Sequence, residues 1–157
     1  MSMIVALDSE LLVLFVVGAT NRKYIAKHGR LHPKYRELDF DLLLKVLEIT
    51  DEIVFTPHTL AEASNHLEQK IQDPHKSEVM SHFRALMGCI REINVNSHEA
   101  AGRAEFLRLG LTDSVVLSVA ERDVSILTAD LDLYLAAAKA GYKALNFNHI
   151  RDYGLSA

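Results

Sequence analysis

Five short apolar runs punctuate this chain, and the stretches between them are long enough to hold helices. The runs are residues 3–7 (MIVAL), 52–55 (EIVF), 93–95 (INV), 124–127 (VSIL) and 143–147 (KALNF). Strands that read as near-continuous apolar runs are buried on both faces, as in parallel sheets covered by helices. Between them, residues 39–50 carry apolar side chains at helical spacing, and Pro57 after Thr56 suits the first turn of a helix reaching about residue 71. Further helices are predicted over 74–90, 97–107, 112–121 and 131–140, while residues 11–17 read as a buried helix or part of a dimer surface. The alternation predicts an α/β fold: a three-layer α/β/α sandwich with a central, mostly parallel sheet of about five strands.

With 157 residues, 49% of them hydrophobic, the chain is long enough to fold around a core without disulfide or metal staples. Its single cysteine, Cys89, has no internal partner. No Pro-, Gly- or Ser-rich linker and no long repeat divides it, so residues 1–157 read as one domain. The apolar stretch 11–17 is far shorter than the roughly 20 residues of a spanning helix, and no secretory leader pattern is present. A cytoplasmic setting without a membrane segment is expected. Charge is segregated within a net value of −4: residues 21–36 hold Arg22, Lys23, Lys27, Arg30, Lys34 and Arg36 with no acid. This basic insertion, at about 20–37, contrasts with the acidic remainder. It reads either as a solvated surface or as a contact for RNA phosphates, with Tyr24 and Tyr35 free to stack on unpaired bases. His28 and His32 either add contacts there or merely occupy the loop.

In open α/β sheets, ligands bind beyond the carboxyl ends of the strands. Asp8 directly follows the first run, Glu62 lies in the helix after the second, Asp113 opens the segment TDSVVLSVA, and Asp130 follows the fourth run through Thr128 and Ala129. Each has an ordinary reading as well: Asp caps helices, and Glu62 suits an exposed helix face. Brought together, four carboxylates repel one another unless a cation lies between them. An all-oxygen donor set suits Mg²⁺ or Mn²⁺, which can lower the pKa of a bound water and orient it toward phosphorus. A His58–Glu62–His66 metal site is excluded, because residues eight apart on a helix are separated by about 12 Å along its axis.

Asp8-Ser9 after the first strand, TPHTLAEASNHL with Glu62, GLTDSVVLSVAERDVSILTADLDL with Asp113 and Asp130, and the ending GYKALNFNHIR together resemble a PIN domain. The resemblance implies a PIN-like sandwich and an Mg²⁺- or Mn²⁺-dependent endoribonuclease of the VapC-like toxin kind, acting on single-stranded or loop RNA. It further implies 5′-phosphate and 3′-hydroxyl products, a homodimer and an antitoxin partner. Asp8, Glu62, Asp113 and Asp130 become the metal-holding acids, with Asp132 as a helper and with Ser9, Thr112 and Thr128 as their polar neighbours. Two departures stand out: Glu10 occupies a position where many members have Asn, and TADLD offers two acids, of which Asp130 better fits the Thr-x-Asp form. Asn at Asp8 or Asp113 is expected to abolish cleavage and spare the fold.

The rival reading is a non-catalytic RNA- or partner-binding module of the same shape. Receiver-like and dehalogenase-like phosphoryl-transfer domains fit less well, since Asp8-Ser9-Glu10 supplies neither an acidic pair near the first strand nor Asp-x-Asp. Arg151 reads either as a residue facing the active edge or as a partner in a C-terminal salt bridge.

Overall fold

A computed structural model describes residues 2–154. Strands β1 (Ile4–Leu7), β2 (Glu52–Phe55), β3 (Arg91–Glu92), β4 (Ser125–Thr128) and β5 (Ala144–Asn146) form one all-parallel sheet in the order β3-β2-β1-β4-β5. Val5 pairs with Ile53 on one side and Ser125 on the other, so β1 is the central strand. Alternate residues of β1 feed different cores. Val5 and Leu7 pack with α1 (Ser9–Thr20), α2 (Glu37–Glu48), α3 (Pro57–Glu68) and α4 (His75–Met87), whereas Ala6 packs with α5 (Ser97–Ala101) and residues beyond it. A third cluster joins Ile126 of β4 to α7 (Leu111–Ala120) and α8 (Leu131–Lys139), with Leu109 of α6 (Phe106–Leu109) at its margin. The result is the three-layer sandwich expected for doubly covered parallel strands.

Helix α1 is apolar on nearly every side because it is buried between the sheet and the neighbouring helices; residues 11–14, 16 and 17 are at most 2% exposed. Its apolar run is therefore core, not a dimer surface. Gly18 lets α2 approach, since a Cβ there would overlap the buried ring of Phe40. Gly18→Ala is accordingly expected to destabilise the protein by about 1–3 kcal/mol in urea unfolding, the usual cost of overpacking. An unchanged midpoint would mean that the contact yields freely.

Three element boundaries differ from the pattern-based reading. The third strand pairs at Arg91–Glu92 rather than at 93–95, because edge pairing needs only backbone groups. The apolar residues that follow, Ile93 and Val95, serve the core instead, although Ile93 N–H still reaches the Phe55 carbonyl at 2.8 Å. The helix expected over 97–107 is broken after Ala101 into α5 and α6, with Gly102 capping the first piece. The last strand stops at Asn146, whose side chain accepts from Asn148 N–H at 3.0 Å and opens α9 (Phe147–Tyr153), a helix the apolar pattern concealed.

The basic segment folds as a 3-10 helix, Arg22–Lys27, followed by turns, and a buried histidine pins it. His28 is fully buried, with Nε2 at 3.1 Å from the Leu67 carbonyl. A carbonyl only accepts, so Nε2 carries the proton and Nδ1 accepts the Arg30 N–H at 3.2 Å. Gly29 N–H adds a bond to the Lys70 carbonyl at 3.0 Å, so the turn is fastened to the end of α3. Burial lowers the pKa of His28 below its ordinary 6.5, and protonating Nδ1 would set two N–H groups against each other. Its contribution is therefore present when the ring is neutral and is lost as pH falls below 6.5 through its folded value. His28→Leu is expected to cost about 1–3 kcal/mol at pH 8, and less under acid, by urea unfolding. Equal stability at pH 8 would show that the ring is not a pin.

Candidate functional site

The carboxyl ends of β1 and β4 meet at the centre of the sheet, where the chain order switches direction and a crevice opens. Asp8 leaves β1 there and caps α1. Its Oδ1 accepts from Leu11 N–H at 2.9 Å, and its Oδ2 accepts from Ala129 N–H at 3.0 Å and from the Thr128 hydroxyl. Burial nonetheless outweighs these donors and pushes its carboxyl up to about 6. Because two N–H groups converge on its two oxygens, an amide at position 8 cannot serve both, so Asp8→Asn is expected to cost stability.

Thr128 joins this acid to another. While its hydroxyl donates to Asp8, its oxygen accepts from Asp130 N–H at 2.9 Å. Asp130 in turn caps α8, accepting on Oδ1 from Asp132 N–H at 2.9 Å and Leu133 N–H at 3.2 Å. Glu62 projects from α3, its Oε1 held by the Ser9 hydroxyl at 2.6 Å. Asp113 arrives through Gly110, whose φ of 86° suits glycine and turns the chain from α6 into α7.

The four acids and Ser9 and Thr112 line one cavity of about 270 Å³. Thr128 acts from beneath it, and Asp132 lies on the exposed first turn of α8 outside its lining. Of the TADLD acids, then, Asp130 faces the cavity. Asp113 differs from the other three: among the described residues its carboxylate has no hydrogen bond and no ion pair. Burial, then the charges of Asp130, Glu62, Asp8 and Asp132, push its carboxyl up to about 7. No three His, Cys, Asp or Glu side chains among the described residues stand as a ready-made ligand group for one ion. The donor set itself, carboxylates with hydroxyls and no thiol, suits a hard divalent cation that keeps part of its water shell. A cation would also relieve the repulsion that Asp113 feels.

The six cations of the basic segment do not act together. Arg30 and Lys34 line the cavity. Arg22 is paired with Asp41 and, at 3.4 Å, with Glu37 on α2, while Lys23, Lys27 and Arg36 are exposed outside the lining. Lys27 borders a separate groove with Lys70 and His75. Tyr24 and Tyr35 are buried, at 7% and 1% exposure, so neither is free to stack on a base. The Tyr24 hydroxyl donates to Glu78 at 2.7 Å, and Tyr35 donates to Glu10 Oε2 at 2.6 Å. Lys34 Nζ approaches the same Glu10 oxygen at 2.9 Å.

Arg151 makes a salt bridge to Asp39 at 3.0 Å, reaches the Lys34 carbonyl at 2.7 Å and lies 4.8 Å from the Tyr35 ring centroid. It therefore ties α9 to the rim of the cavity instead of entering it. Sequence reasoning missed two ionisable lining residues, Glu10 and His66. The signal for His66 was its place one helical turn after Glu62, on the same face of α3. His58 instead meets Ser97 at 3.2 Å, which separates the two histidines. No helix among the described residues is long and apolar enough to cross a membrane. No protein-family model matches this chain, and no curated protein matches it.

Proposed function

We propose that the protein is a PIN-like, Mg²⁺- or Mn²⁺-dependent endoribonuclease that hydrolyses phosphodiester bonds of single-stranded or loop RNA. The observation that supports this most is Asp113: a half-buried carboxylate, pushed up to about 7, sharing the cavity with three other acids and making no hydrogen bond or ion pair among the described residues. Asp8 and Asp130 also do structural work as caps, so they alone would suit a non-catalytic module equally well. Asp113, in the first turn of α7, makes no such cap bond.

Asp8, Glu62, Asp113 and Asp130 would hold the ion. When bound, a divalent cation supplies Lewis acidity toward a phosphodiester oxygen and toward water. The chain's own contribution is to fix the carboxylates in advance. Thr128 locks Asp8 and the start of α8 to each other, and Ser9 selects one orientation of Glu62. Such pre-set groups need no reorganisation when charge develops on phosphorus oxygens. Among the described residues no thiol lines the cavity, Lys34 is paired with Glu10 and the Ser9 hydroxyl is bonded to Glu62, which supports attack by water.

End-group analysis tests this chemistry. Single-stranded RNA incubated with the protein and Mg²⁺ or Mn²⁺ is expected to give 5′-phosphate and 3′-hydroxyl ends, and none with chelator. Ends bearing 2′,3′-cyclic phosphate would mean attack by the ribose hydroxyl and would contradict hydrolysis at the acids. RNA binding without any cutting would favour the non-catalytic module.

A further inference from the structure

Besides the acids, the same cavity is lined by groups of a different chemical kind. Arg30 and His66 both line it, one from the pinned turn and one from α3. Among the described residues, Arg30 has no carboxylate partner, and its only side-chain bond is a long one, 3.4 Å, to Gln69. Lys34, by contrast, is already compensated by Glu10. The ring of His66 makes no hydrogen bond among the described residues although it is half-buried. It shares the cavity lining with Arg30, Glu62 and Glu10, and the charges of all three act on it.

The backbone around Arg30 is fixed independently of any ligand. His28 accepts the Arg30 N–H, and Gly29 is bonded to Lys70, so the guanidinium projects from a rigid turn rather than a loose loop. A guanidinium without a carboxylate partner, held only by the long Gln69 bond, and an unpartnered imidazole line the same cavity and offer several N–H donors to it. Phosphate oxygens satisfy such donors, and guanidinium suits them through its planar fork.

We propose that Arg30 and His66 form a phosphate-binding subsite that grips one phosphate of a single-stranded RNA while the acids face the neighbouring reacting bond. The subsite rests on the ribonuclease reading for the identity of the strand, but binding can be measured apart from cleavage. Arg36, also exposed but outside the cavity, provides the control for charge without placement.

The experiment uses the full chain carrying Asp113→Asn, titrated by fluorescence anisotropy with a short labelled single-stranded RNA over a range of salt concentrations. Adding Arg30→Gln is expected to weaken binding about tenfold and to reduce the salt slope by about one, as loss of one phosphate contact should. Adding His66→Ala is expected to weaken binding by several-fold with the slope unchanged, and Arg36→Gln to change neither. Unchanged affinity in Arg30→Gln, or an equal loss in Arg36→Gln, would overturn the subsite. Both arginines are exposed, and matching circular dichroism would confirm that the variants are folded. If the wild type cut no RNA while Arg30→Gln still lost affinity, the nuclease reading would fall and the subsite would stand. Cleavage with no Arg30 effect on binding would do the reverse.

Discussion

At pH 8 and without divalent ions, Asp113→Asn is expected to be more stable than the wild type, and with Mg²⁺ or Mn²⁺ present it is expected to cut no RNA. The folded-state carboxyl lies at about 7, against an ordinary value of 3.8, because burial and four neighbouring acids disfavour its charge. Between those values the folded protein holds a proton that the unfolded chain has released, so wild-type stability falls as pH rises through that window. Asparagine carries no charge and avoids the fall. The expected gain is about 1–2 kcal/mol at pH 8, kept below the full linkage value because solvent reaches the half-buried carboxylate. Near pH 4 the difference should vanish. Saturating Mn²⁺ should erase the advantage too, by stabilising the ionised wild type. The loss of cleavage should be at least about 100-fold, as expected when a group that holds a catalytic ion is neutralised. Urea unfolding at several pH values reads the first effect. A variant that parallels the wild type at every pH would show that Asp113 is not under electrostatic stress.

Asp8 should behave in the opposite sense. Asp8→Ala removes the cap of α1 and leaves Leu11 N–H, Ala129 N–H and the Thr128 hydroxyl without their acceptor. A lost cap costs about 1 kcal/mol, and each buried donor left unpaired adds about 1–3 kcal/mol. Part is recovered, since burial already makes the Asp8 charge unfavourable above its pKa of about 6. A net loss of about 2–4 kcal/mol is expected. Asp8→Asn should lose less, because it keeps one acceptor, yet still unfold more readily than the wild type. Both should lack cleavage. The two aspartates thus separate by sign: replacing one relieves the fold and replacing the other damages it, although they line the same cavity. If Asp8→Ala were as stable as the wild type, the hydrogen-bond cluster joining β1 to β4 would carry no weight.

Much of this arrangement can be read from the residues, for definite reasons. Strands β1, β2 and β4 are buried on both faces, so their apolar runs mark them directly. The acids after them fall at the sheet's switch point because strand ends in a parallel sheet share one edge. The edge strand at Arg91–Glu92 left no such mark, since its ladder is made by backbone and its side chains are exposed. Helix α9 was hidden because Phe147 reads as the end of an apolar strand, while Asn146 beforehand carries the actual start signal.

The basic segment shows a different limit. Six cations and two tyrosines look alike as a nucleic-acid patch, but long-range bonds sort them. The His28 bond to Leu67 and the Gly29 bond to Lys70 bring Arg30 to the cavity, Asp41 and Glu37 hold Arg22 elsewhere, and the tyrosines are consumed by the core. No local pattern encodes partners 39 residues away, such as Leu67 for His28. His66 was visible as a helical neighbour of Glu62, yet its role depends on which loop lies across from it.

The most direct test of the proposed hydrolytic site is cleavage of a pooled single-stranded RNA by wild-type protein and Asp113→Asn side by side, with Mg²⁺, with Mn²⁺ and with chelator. Cutting by the wild type alone, abolished by chelator, is the expected result. Cutting that survives both chelator and the substitution, or no cutting under any condition by folded wild type, would contradict a divalent-ion site built from these four acids.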